Sequence, residues 1–446
     1  MRERSEWWWV ALWGVLVVVA LTVRPLLPVD ETRYLSVAWE MWLRHDWLVP
    51  HLNGSPYPDK PPLLFWGILL GWRLFGVNVW WPRLLPPLAA LVCVFLLLHL
   101  ARRLSPEEPG ARALPFLSGP LWVTYSTLVL FDTLLTACVL VALCGLADAA
   151  DGRSWRGWLA YGAGVGLGVL AKGPVVLVHV LPVALLAPWW TIATPVRRRR
   201  WYLGLLGAVG LGAAIGLTWA LPAGARGGPT YREALLWQET AGRIAHAFAH
   251  RRPWWWYLPL LPLVLLPWTL WPPLWRSLVE LRRDRPRVAV RFALSCLVPG
   301  FIVLSLISGK QVHYLLPLLP TFAILAGTAI APRPKPIALS LVCPGLLIMA
   351  HFAAAGPLAR RYDLRPAAAQ AQAAQRVGRP VAFVGGYEGQ LHFLGRLERP
   401  VAEVKRADVQ RWMAAHPDGL VLFRTAPASS APRPLPLRPG MQGAGD

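Results

Sequence analysis

WWWVALWGVLVVVALTVRPLLPVDETRY, residues 7–34, runs a long apolar stretch directly into a patch of charge. About 20 apolar residues is the length that crosses a bilayer as one helix. The run is too long for a signal peptide and lacks a small-residue cleavage site, so it reads as a retained span. Charges at a membrane boundary are costly unless they serve something, which makes Asp30, Glu31 and Arg33 the first functional candidates. A second polar patch, NGSPYPDKPP at residues 53–62, lies in the same segment.

Further apolar runs follow down the chain. Spans are expected near 7–27, 80–101, 112–130, 133–150, 157–171, 174–190, 202–222, 255–275, 289–307, 312–331 and 336–356. Those between 112 and 190 are short or broken by Gly and Pro. Mean hydropathy is +0.43. Only 15% of residues are charged, against roughly 25% in a soluble domain. The fold class is therefore an all-α polytopic membrane protein of about eleven transmembrane helices.

A net charge of +22 would suggest nucleic acid in a soluble protein. Here the cations fall in alternate loops: Arg2 and Arg4; Arg102, Arg103 and Arg112; Arg153 and Arg156; Arg197 to Arg200; Arg276 to Arg287; Arg333 and Lys335. With the spans above, every cluster shares the side of the N-terminus. Excess Arg and Lys marks the cytoplasmic face, so the N-terminus is expected inside and the C-terminus outside the cytoplasmic membrane. The five cysteines sit in apolar segments without metal spacing and read as small core residues. Many of the 26 tryptophans stand at span ends, where they anchor helices at the interface.

The outward segments carry the remaining polar residues. In 28–79, Tyr34–Leu43 and Pro61–Phe75 are expected to be helices lying along the membrane or packed into the protein. Asp132, Lys172, the segment 223–254 and the turn Ser308–Tyr314 complete that face. Beyond residue 357, strands at 380–384 and 419–423 flank a helix at 407–416. The expected organisation is a membrane domain over 1–356, a small extracytoplasmic α/β domain over 357–425 and a Pro-rich disordered tail over 426–446.

The order of motifs resembles the GT-C superfamily of polyprenyl-phosphate-sugar glycosyltransferases, in its branch of aminoarabinose transferases and bacterial protein O-mannosyltransferase-like enzymes. The matching pieces are DETRY (30–34), NGSPYPDKPPLLFW (53–66), FGVNVWWPRLLPPLAAL (75–91), DTLLT (132–136), LAKGPV (170–175), HRRPWWWYLPLL (250–261) and SGKQVHYLLPLLP (308–320). Asp59 stands where the family often has Glu, and Glu239-Thr240 where it often has Glu-Asn. The resemblance implies a GT-C fold and inverting transfer of a sugar from a polyprenyl-phosphate donor to a lipid A, protein or glycan acceptor.

Chemistry assigns the roles. An acceptor hydroxyl needs a base; the resemblance puts Asp30 there, with Glu31 and Asp132 as lesser candidates, although Asp also caps helices well. A departing phosphate gains charge that fixed cations stabilise, which suits Arg33, Lys60 and Arg243. Snorkelling is the plainer account of the two arginines. Lys172 and Lys310 either touch the phosphate or cap helix ends. Tyr34, Tyr57, Glu239, His313 and Tyr314 would line the donor and acceptor cavity. A divalent metal ion on Asp59 with His246 or His250 is a weaker alternative. The chain has no Gly-rich phosphate loop, in keeping with a lipid-linked donor. A lipid-linked sugar transporter or flippase is the rival class, but the charges gather at one interface instead of the midplane.

Overall fold

A computed structural model describes residues 7–106, 110–151, 154–191, 197–237, 251–281, 288–330 and 337–423. The chain divides after Asp363 into a long helical unit and a C-terminal unit. The boundary expected at 357 falls inside the helix Val342–Tyr362.

In the first unit α1 (Trp7–Val23) leads into α2 (Asp30–Leu43). A short hairpin follows, β1 (His51–Leu52) with β2 (Ser55–Pro56). Its turn places Asn53 and Gly54 at positive φ, 52° and 83°, the geometry for which Asn-Gly is favoured. Next come α3 (Leu63–Phe75) and α4 (Trp80–Leu104). The helices expected on the first outward segment thus form: α2 is buried on all sides from Tyr34 to Met41, and α3 buries one face.

Among the described residues seven helices are long and apolar enough to cross a membrane, and Ala11–Val23 and Leu63–Phe75 are shorter apolar ones. Two expected spans break up most. Over 112–130 the chain forms short 3-10 turns and then α5 (Pro120–Tyr125). Over 255–275 it forms a succession of short pieces between Trp254 and Glu280. The cause is proline, at 115 and 120 in the first and at 259, 262, 267 and 272 in the second. Each removes an N–H and clashes with the preceding turn. Such backbone is tolerated at membrane depth where protein surrounds it, as it does the first stretch, where Phe116, Leu117 and Trp122 are buried; in the second, Trp268 is buried but Leu258, Leu263 and Leu270 are exposed.

The centre of the unit is α6 (Phe131–Ala150) packed against α7 (Ser154–Lys172). Glycines bring the two backbones together. A Cβ on Gly164 would lie 2.5 Å from the Ala142 amide nitrogen, one on Gly145 2.5 Å from that of Tyr161, and one on Gly157 2.5 Å from that of Ala149. Small residues allow this close approach between membrane helices. The pairs run in opposite directions, so this antiparallel register carries the start of α6 to the end of α7. Asp132 therefore meets Lys172. At the far end of α6, about 30 Å away at 1.5 Å per residue, Arg103 pairs with Asp148 at 2.6 Å and Asp151 at 3.0 Å. Gly164→Leu should lower the melting temperature sharply, since overpacking a tight contact costs about 1–3 kcal/mol or more. Unchanged thermal unfolding in detergent would mean the two helices are free to separate.

Beyond α7, Gly173 (φ 77°) and Pro174 separate off α8 (Val176–Leu185) and the short α9 (Ala187–Trp190). Helix α10 (Arg198–Glu233) outruns the expected span and kinks at Gly228. The C-terminal unit holds three parallel strands in the order β4 (Ala402–Val404), β3 (Val381–Val384), β5 (Leu420–Phe423). The helix Arg365–Arg376 buries Ala368, Ala371 and Ala374 in the core of this unit with Val381, Phe383 and Leu391. The expected Pro-rich tail, 426–446, lies outside the described residues.

Candidate active site

Asp30 is the first residue of α2, and its carboxylate is half exposed beside the guanidinium of Arg33 one turn on. Arg33 also lies over the Tyr34 ring, 5.4 Å from its centroid. Tyr34 is buried against Phe131 (4.9 Å between centroids) and Phe65 (6.4 Å), which joins α2 to the start of α6 and to α3. Burial pushes the Tyr34 phenol well above its ordinary pKa, and the charges of Asp30 and Tyr57 push the same way. It remains a hydroxyl.

Asp132 is buried at the start of α6. One carboxylate oxygen accepts from the Lys172 ammonium at 2.6 Å, and the other faces His313 Nε2 at 3.8 Å. Lys172 also stands 4.3 Å from the centre of the Tyr314 ring. His313 is held between aromatic rings, Tyr125 at 5.2 Å and Tyr314 at 5.0 Å. Lys60 lies close enough to act electrostatically on both Asp132 and His313, and Asp30 acts on His313 as well. Four separate parts of the chain thus come within electrostatic range of one another: the start of α2, the 57–60 loop, the α6–α7 pair and the turn Val312–Leu318.

Two sequence candidates have other employment. Glu31 is buried, bonded to Arg24, and accepts the backbone N–H groups of Leu27 and Val129, both at 2.9 Å. Burial alone would raise its pKa, but Arg24 and those hydrogen bonds outweigh it and hold the carboxyl below its ordinary value of 4.5. A carboxylate so occupied is a poor base. Lys310 donates to the Arg252 carbonyl at 3.0 Å and to that of Ile307. It binds the end of the helix Val288–Leu306 to the strand-like 251–252 segment instead of reaching toward Asp132. Tyr57 is buried, within electrostatic range of Tyr34. Glu239, Arg243, His246 and His250 lie outside the described residues. Among the described residues no group of three His, Cys, Asp or Glu side chains is placed to hold a metal.

Residues that sequence reading passed over include Arg24, Arg83, Glu40 and Tyr125. Arg83, buried in α4, donates to the carbonyls of Leu21 and Arg24 at 2.9 and 2.8 Å. A lone arginine at the end of an apolar run was the available signal for both arginines.

Residues 59–223 match the family described as dolichyl-phosphate-mannose-protein mannosyltransferase. An undecaprenyl phosphate-alpha-4-amino-4-deoxy-L-arabinose arabinosyl transferase of Pseudomonas aeruginosa is 37% identical over 332 residues, 72% of this chain and 58% of that protein. One from Pseudomonas fluorescens is 32% identical over 72% of this chain and 55% of its own length. The chain thus spans less than two thirds of the relatives it matches. In structure, ArnT of Cupriavidus metallidurans bound to undecaprenyl phosphate superposes with a TM-score of 0.66 at 22% identity, covering 94% of this chain and 90% of that one. The archaeal oligosaccharyltransferase AglB of Archaeoglobus fulgidus gives 0.51 at 12% identity, covering 90% and 65%.

The fold is that of ArnT and, more distantly, of AglB. In sequence the chain is similar to the undecaprenyl phosphate aminoarabinose arabinosyl transferases over part of their length.

Proposed function

We propose that this protein is a membrane glycosyltransferase that moves a sugar from a polyprenyl-phosphate donor to an acceptor on the outer face of the cytoplasmic membrane. The observation that carries the reading is the grouping of Asp132 with Lys172 and His313 at one end of the bundle, with Asp30 and Lys60 within electrostatic range of His313. The names of its relatives support an undecaprenyl phosphate carrier and an aminopentose as the sugar class.

In the step envisaged, the acceptor hydroxyl gives its proton to Asp30 as its oxygen bonds to the anomeric carbon. The bond from that carbon to the phosphate oxygen breaks on the opposite side, with inversion, and polyprenyl phosphate leaves. Arg33, Lys60 and Arg243 address the charge that grows on the departing phosphate. Asp132 and Lys172 neutralise one another, so their part is to hold His313 and Tyr314 in the cavity wall. Eleven crossings, an inside N-terminus and an outside C-terminal unit complete the reading.

Reconstituted protein given undecaprenyl phosphate carrying a radiolabelled aminopentose, together with lipid A as acceptor, tests it. Label should leave the polyprenyl lipid and appear in the acceptor. Label crossing the vesicle membrane while still attached to the lipid would establish a flippase instead.

A further inference from the structure

Asp30 begins a helix, yet the groups around it come from distant parts of the chain. We propose that α2 is the jig of the site: Asp30 acts from its first residue, while Glu31 and Glu40 are positioning residues that hold the loop leading to Asp132 and the hairpin leading to Lys60. The proposal rests on the glycosyltransferase reading for Asp30, but the clamps themselves are visible in the backbone contacts.

Glu31 and Arg24 grip 127–129 from both sides. The carboxylate accepts from Val129 N at 2.9 Å, and Arg24 Nη2 donates to the Thr127 carbonyl at 3.0 Å and to Glu31 Oε1 at 3.2 Å. Phe131 and Asp132 follow at once. Nine residues along α2, about 13 Å up its axis, Glu40 repeats the device. Its buried carboxylate accepts the backbone N–H of Gly54 at 2.9 Å and that of Asn53. This clasps the β1–β2 turn, whose return strand delivers Tyr57 and Lys60.

Both sites use all of a carboxylate. Glu31 Oε1 receives Arg24 and Val129, and Oε2 receives Arg24 and Leu27. The two oxygens of Glu40 take one backbone N–H each. A glutamine has one acceptor oxygen and an NH2 that only donates, so Gln at either position leaves a buried N–H facing another donor. A stability element would tolerate replacement by apolar groups. A positioning element would not.

The test is hydrogen exchange and turnover on the full-length protein in nanodiscs, with undecaprenyl phosphate as the binding probe. Glu31→Gln should raise exchange across 127–135, leave the 51–56 hairpin protected, and lower turnover about 10²-fold, as a displacement on the order of 1 Å can. Probe binding should be little changed. Glu40→Gln should raise exchange in the hairpin alone and weaken probe binding through Lys60. The pair Arg24→Met with Glu31→Leu should regain thermal stability without regaining turnover. Wild-type exchange in the clamped loop, or turnover restored along with stability in the apolar pair, would overturn the proposal. So would a Glu31→Gln protein as inactive as Asp30→Asn with its loop still protected, because Glu31 would then be acting on substrate. A wild-type protein that transfers no sugar would sink the glycosyltransferase reading instead, while the exchange patterns would still decide the clamps.

Discussion

Asp30→Asn is expected to abolish most sugar transfer while leaving a folded protein that still binds polyprenyl phosphate. Loss of a general base typically costs about 10²–10⁴ in rate. The fold should survive because the side chain is half exposed and its ion partner, Arg33, lies only one turn away and is itself partly solvated. Such an exposed pair is worth little to stability. Donor binding should survive because the cations that meet the phosphate are untouched. Initial rates of label transfer, set beside undecaprenyl phosphate binding and thermal unfolding of the same preparation, check all three expectations. Near-wild-type transfer would remove Asp30 from the mechanism. The other two acids considered at the sequence level are poor substitutes, since Glu31 is occupied by Arg24 and Asp132 by Lys172.

Asp132→Ala should have the larger effect on the fold itself. Its carboxylate is 5% exposed and the Lys172 side chain 15%, so removing the acid strands a cation among Tyr314, His313 and the ends of two helices. Breaking one half of a buried pair costs about 3–5 kcal/mol. Against a total of about 5–15 kcal/mol for a folded domain, that is a severe loss. The protein should melt much earlier in detergent and be recovered in low yield. Asp132→Leu combined with Lys172→Met should recover stability, because a buried pair can be replaced by apolar groups at little cost. It should not recover transfer, since the carboxylate that faces His313 would be gone. An Asp132→Ala protein that melts like the wild type would mean that Lys172 escapes to solvent and that the pair carries no weight in the fold.

Much of the bundle was legible because its cause is local. Apolar length sets a span wherever it falls, and the Asp30–Leu43 and Leu63–Phe75 helices announce themselves by amphipathic or short apolar runs. Proline set the limit of that reading. The same apolar content at 112–130 and 255–275 breaks into short turns, because composition records hydrophobicity and not the missing N–H groups. Glycine was the second blind spot: the α7 glycines look like weak helix formers, and only a facing helix turns them into a packing surface.

For the site, sequence alone determined which side chains matter at the level of residue type: acids, cations and aromatics concentrated in the few polar segments of an apolar chain, because lipid excludes them elsewhere. Tertiary structure decided what each one does. Asp30 and Glu31 are adjacent and chemically alike, yet the turn of α2 leaves one half exposed and drives the other into Arg24 and the backbone of 127–129. Lys172 and Lys310 are both cations beside a glycine, yet one meets Asp132 and the other is consumed by carbonyl groups. The difference is distance along the chain. Lys172 meets Asp132 only because α6 and α7 pack in one register, and Glu31 meets Val129 only because α2 lies against the segment entering α6; no local pattern encodes a partner roughly forty to a hundred residues away.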